Sequence, residues 1–139
     1  MSYAELLNLY FDRSNALQWY WTLYVVIIGG LLAFSSMRAK PDLITTAIVS
    51  VLFLAFAYKN MGAIVESTNQ RIAVLQLLNE RKGESDTAKA VADKVLPTLQ
   101  PAQPDAIRRF HLTCDVLTVA GLWAIEYRRR RLAKAEARS

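Results

Sequence analysis

Long uncharged runs separated by short polar turns fill the first part of the chain, and a helical three-to-four spacing of apolar positions continues beyond them. Leu17 to Met37 is 21 residues without a charge. At about 1.5 Å rise per residue it covers a hydrocarbon layer of roughly 30 Å. Trp19, Tyr20, Trp21 and Tyr24 crowd its first turns, where amphipathic rings favour a headgroup boundary. Leu43 to Tyr58 gives a second uncharged run of 16 residues. Between the two lies RAKPD, residues 38 to 42, in which Pro41 breaks the helix and Asp42 is placed to cap the next one. So short a turn predicts an antiparallel hairpin.

The periodicity does not stop with the second run. Ile64, Thr68, Ile72, Leu75 and Leu78 keep the spacing up to Glu80, so one helix is expected from about 43 to 81, roughly 58 Å long. Gly83 ends it, and Ser85 or Asp86 starts a short helix whose stripe is Ala88, Val91, Ala92 and Val95. Pro97, Pro101 and Pro104 impose an extended connector. Asp105 is then expected to cap a last helix running to about 135. Ahead of the first span, Leu6, Leu7, Tyr10 and Phe11 predict a short amphipathic helix over residues 4 to 12, with Ser14 or Asn15 capping the spanning helix after it. The organisation predicted is an amphipathic segment over 1 to 16, a transmembrane hairpin over 17 to 59, a helical stalk and Pro-rich connector over 60 to 104, and a third hydrophobic helix with a basic tail over 105 to 139. The fold class is all-α, an integral membrane helical protein with two to three transmembrane helices and a protruding stalk.

Composition agrees with this pattern: 53% of the 139 residues are hydrophobic and only 21% charged, and the apolar residues are bunched beyond what a small soluble core could bury. The net charge of +5 does not indicate a nucleic-acid partner. Arg128, Arg129, Arg130 and Arg131, with Lys134 and Arg138, hold six of the 17 basic residues directly after the last apolar run. A block of this kind beside a span sets topology or meets lipid headgroups. Residues 1 to 16 carry Glu5 and Asp12 and lack a basic leader, so the first apolar segment is expected to be a retained signal anchor.

The third apolar segment, Phe110 to Ile125, contains His111 and Asp115. A carboxylate at mid-helix costs about 2.5 to 3.5 kcal/mol on insertion scales. On a helix His111, Cys114, Asp115 and Thr118 share one face, while Leu112, Val116, Val119, Leu122, Trp123 and Ile125 occupy the rest. Such a stripe should point into a bundle, where Thr46 and Ser50 of the second run offer hydroxyls. Three spans would place the 38 to 42 turn and the arginine tail together in the cytoplasm, as the positive-inside bias expects. Two spans would instead leave residues 59 to 139 as a cytoplasmic helical domain. The three-span arrangement accounts better for the short basic segments. The membrane expected is a bacterial inner membrane, with the C-terminus cytoplasmic.

Cys114 is the single cysteine, which excludes an internal disulfide and, with one histidine, argues against a metal site within one chain. The sequence has no G-x-S-x-G, P-loop, H-E-x-x-H or Gly-rich turn after a strand. No enzyme activity and no cofactor are expected. Glu126 is positioned to pair with Arg129 or Arg130 along the helix. Gly29 and Gly30 would let a neighbouring helix approach closely. The function expected is that of an accessory or scaffold subunit, partnered by the lipid bilayer, by copies of itself or by other membrane subunits. The alternative is a small oligomeric ion channel or pore-forming effector built on the stripe around Asp115.

Overall fold

The computed structural model describes residues 1 to 138, and every regular element in it is helical: α1 (Tyr3–Met37), α2 (Leu43–Glu80), α3 (Asp86–Val95), a 3-10 turn (Leu96–Thr98) and α4 (Pro104–Glu136). Two of these helices, α1 and α2, are long and apolar enough to cross a membrane. The chain divides into two compact units. One joins Met1–Trp21 to Gly62–Arg108, and the other joins Thr22–Met61 to the segment from Arg109 onward.

The long helix expected over 43 to 81 is observed as Leu43–Glu80. Its buried or half-buried positions include Thr46, Ser50, Phe53, Ala57, Asn60, Ile64, Ser67, Arg71, Val74 and Leu78. They alternate in steps of four and three, a seam down one face of the helix. Asp42 starts the helix, its Oδ1 accepting from the Thr45 N–H at 3.1 Å. Along the seam the residue types change, from small and polar at Thr46 and Ser50 to aliphatic at Val74 and Leu78.

The first unit buries apolar side chains and exposes charged ones. Leu6 and Tyr10 from α1 meet Val74 and Leu78 from α2, with Leu75, Leu96 and Leu99 packed around them. Each fully buried leucine contributes roughly 1.5–3 kcal/mol. Outside lie Glu66, Gln76, Glu80, Lys82 and Asp93, all exposed. Arg71 closes the edge of the core, donating to the Tyr10 hydroxyl at 2.8 Å. The short helix α3 rests on buried Ala88 and Ala92, and Ser85 caps it by accepting from the Ala88 N–H at 3.0 Å. Replacing Ser85 with alanine should cost about 1 kcal/mol. Hydrogen exchange would show it as faster exchange of the Ala88 amide, with the amides of α2 unchanged.

Two expectations at helix boundaries are corrected. No break separates an N-terminal helix from the first apolar run, because α1 runs unbroken from Tyr3 to Met37. Ser14 does not cap a new helix; its hydroxyl donates back to the Tyr10 carbonyl at 2.9 Å. Neither glycine nor proline interrupts residues 3 to 28, so nothing in the backbone opposes continuation. At α4 the first helical residue is Pro104 rather than a capped Asp105. Proline lacks only an N–H that the first turn leaves unbonded anyway, and Asp105 instead pairs with Arg108 at 3.3 Å.

Candidate functional site

The second unit reverses the arrangement of the first. Of its thirteen buried residues among those described, nine are polar or charged: Ser35, Thr46, Ser50, Asn60, His111, Asp115, Thr118, Glu126 and Arg129. Its outer face is aliphatic and aromatic. Val25 and Val26 on α1, Ile44, Val51 and Leu52 on α2, and Val116 and Leu117 on α4 are each more than 60% exposed. On α4 the buried positions His111, Asp115, Thr118, Leu122, Glu126 and Arg129 succeed one another by three or four residues, a single stripe down the helix.

Near the start of that stripe, Asp115 receives two hydrogen bonds. The Tyr24 hydroxyl donates to its Oδ1 at 2.7 Å, and His111 Nδ1 lies 2.9 Å from its Oδ2. The Tyr24 and His111 rings also face each other, with centroids 4.1 Å apart. Asn60 of α2 reaches His111 Nε2 with its Oδ1 at 3.4 Å. Three helices are thus tied at one level by one carboxylate, one imidazole, one phenol and one amide. With Nδ1 donating to Asp115, a second proton on Nε2 would donate to Asn60, and the imidazolium would neutralise the carboxylate. Without that proton Nε2 accepts from the Asn60 amide in its other orientation. Each arrangement satisfies the ring, as a buried polar group requires.

A second polar cluster closes the other end of the stripe. Arg129 Nη1 donates to Glu126 Oε2 at 2.6 Å, and its Nη2 donates to the Ser35 carbonyl of α1. Arg130 Nε donates to Glu126 Oε1 at 3.1 Å. From α2, Thr46 Oγ1 lies 3.4 Å from Glu126 Oε2 and accepts from Arg38 Nη1 at 3.2 Å. Each oxygen of the Glu126 carboxylate therefore meets a guanidinium, the arrangement that lets a charge be buried without being stranded.

His111 and Asp115 come together on α4, and Thr118 is buried on the same face, but the partners of this stripe differ from those expected. Thr118 spends its hydroxyl within α4, donating to the Cys114 carbonyl at 2.7 Å. Cys114 is a half-buried free thiol. Thr46 and Ser50 do not meet Asp115: the antiparallel register places Thr46 at Glu126, about 16 Å further along α4. Ser50 returns its hydroxyl to the Thr46 carbonyl at 2.8 Å. Leu122, expected on the apolar side, is 1% exposed on the buried one.

The arginine run splits into two pairs. Arg129 is buried against Glu126 and ties α4 to α1 through the Ser35 carbonyl, Arg130 is partly buried against Glu126 within α4, and Arg128 and Arg131 stay exposed. Gly29 and Gly30 have open space around them within this chain. The glycine with a neighbour in van der Waals range is Gly121, where a Cβ would lie 3.4 Å from Leu32 Cδ2. Tyr24 and Asn60 were missed as site residues. Their signal was position: Tyr24 is four residues after Tyr20, on the same face of its helix, and Asn60 lies on the seam of α2. Among the described residues no group of three or more His, Cys, Asp or Glu could hold a metal ion. Comparison with known proteins found no matching family model, no similar characterised protein and no similar solved structure.

Proposed function

We infer that this chain is an integral membrane protein with three spans, acting by assembly as a non-enzymatic scaffold or accessory subunit. The observation that carries the reading is the inverted second unit, polar within and apolar without. In water that pattern exposes aliphatic surface and buries polar groups at a cost. In lipid it is the favourable one, because polar side chains must find partners inside the bundle. Lengths support it as well. Trp19 to Met37, Leu43 to Met61 and Phe110 to Tyr127 each cover about 26–27 Å of helix. Trp19 is 74% exposed at one edge and Tyr127 with Arg131 is exposed at the other, as anchoring groups at two interfaces would be.

Packing of the third segment beside the first two spans, in one unit, supports three spans over two. Support for a scaffold over a pore comes from Asp115, both of whose oxygens are bonded within a single chain. The open surface at Gly29 and Gly30 and the apolar outer face leave room for a second copy or another membrane subunit.

Single cysteines placed in a Cys114→Ser background test the arrangement. With a membrane-impermeant maleimide, Lys40→Cys and Arg138→Cys should label from one side and Glu84→Cys from the other. Labelling of Glu84→Cys and Arg138→Cys from the same side would overturn the three spans. In mild detergent the protein should run as a multimer or in a larger complex, and a monomer at every concentration would remove the assembly reading.

A further inference from the structure

An elongated groove of about 610 Å³ runs between α2 and α4 in the second unit, lined by Leu54, Tyr58 and Met61 on one side and by Leu112, Val116 and Trp123 among others on the other. Asp115 forms part of its floor. Everything else along the wall, apart from the Tyr58 hydroxyl, the Met61 thioether and the indole N–H, is hydrocarbon or ring. We propose that this groove binds a lipophilic primary amine, its cationic head on Asp115 and its chain lying toward Trp123.

The chemistry of the lining selects the ligand. A carboxylate has about four lone-pair directions, and Tyr24 and His111 occupy one on each oxygen. The free directions can accept from an ammonium, which forms stronger, charge-assisted bonds than a neutral hydroxyl. The bonds from Asn60 to His111 and from Thr46 to Glu126 fix the register of α2 on α4. That register sets Tyr58 at the carboxylate end, where its ring face favours a cation. From Asp115 to Trp123 the groove tracks eight residues of α4, about 12 Å. An anionic or zwitterionic lipid would bring negative charge against the buried carboxylate, and a plain hydrocarbon would leave its open lone pairs unused.

The inference rests on the membrane reading only in that such a ligand reaches the groove from lipid. Its test uses full-length protein in detergent, with Trp19→Phe and Trp21→Phe so that Trp123 alone fluoresces. Titration with ω-bromododecylamine should quench Trp123 saturably, at least about tenfold more tightly than ω-bromododecanol, which has the same chain and bromine but no charge. Asp115→Asn should reduce the amine to the level of the alcohol. Ala120→Phe, which fills the groove from an exposed position without touching the Asp115 network, should abolish saturable quenching and keeps the test alive if Asp115→Asn does not fold. Equal, non-saturating quenching by amine and alcohol would overturn the proposal. So would saturable amine-selective quenching that survives in folded Asp115→Asn or in Ala120→Phe. Topology labelling is independent of this readout, so failure of the groove and failure of the three spans are told apart.

Discussion

Replacing Glu126 with alanine should lower stability in detergent by about 3–5 kcal/mol, because it strands the Arg129 guanidinium in a buried site. In a chain of this size that corresponds to a fall in melting temperature of roughly 10 °C or more. Arg129 is 9% exposed and Glu126 is 1% exposed, and the contact between them is 2.6 Å. Glu126→Met combined with Arg129→Met should recover much of the loss, since the double change removes both charges rather than one. A single alanine variant that melts within a degree or two of the parent would mean that water reaches Arg129. Acid acts nearby, on the turn ahead of α2. The hydroxyl and N–H of Thr45 both donate to the Asp42 carboxylate and hold it below its ordinary range. With the folded value depressed, the stabilisation is complete at neutral pH and is lost as pH falls through that value. In a pH series of melts, Asp42→Asn should flatten this part of the acid arm, because the amide caps the helix without titrating.

How much of this architecture could be read from the residues depends on how local each signal is. The length of α2 was legible because Ile64, Thr68, Ile72, Leu75 and Leu78 keep a helical spacing, a property of one helix, although Ile72 and Leu75 are only half-buried and Ser67 and Val74 lie deeper. The pairing of Glu126 with Arg129 and Arg130 was legible for the same reason, since partners three and four residues apart meet on any helix. Partners on other helices were not. Thr46 and Ser50 offer hydroxyls on one face to the stripe around Asp115, but only the register of α2 on α4 decides their level, and it places Thr46 at Glu126. Leu122 reads as an outer-face residue from the sequence because apolar side chains in a membrane bundle are expected to face lipid, yet it is 1% exposed. In a unit that buries its polar groups, apolar character no longer tells the two faces apart. Gly29 and Gly30 illustrate the same limit, since the glycine with a neighbour in van der Waals range within the chain is Gly121, and composition does not say which glycine faces a neighbour.

The presence of Asp115 in an apolar segment has two explanations, and a pair of substitutions separates them. If the carboxylate is there to join helices, Asp115→Leu should destabilise the protein by roughly 2–5 kcal/mol, because His111 Nδ1 loses a charged acceptor in a buried place and the Tyr24 hydroxyl exchanges its 2.7 Å bond to the carboxylate for the 3.3 Å contact with the His111 carbonyl. Tyr24→Phe alone removes one bond to a charged acceptor and should cost about 1.5–3 kcal/mol. The two losses overlap, since either change removes the same bond between the phenol and the carboxylate. The cost of the double variant should therefore fall short of the sum by about 1–3 kcal/mol. Thermal or denaturant unfolding of the four proteins gives this coupling directly. If Asp115→Leu instead stabilises the protein and shows no coupling to Tyr24, the network does not secure the fold. A charged group that weakens its own structure is kept for what it does, as residues at binding sites are. Asp115 would then be assigned to the ligand of the groove, with Tyr24 and His111 serving to hold the carboxylate in place.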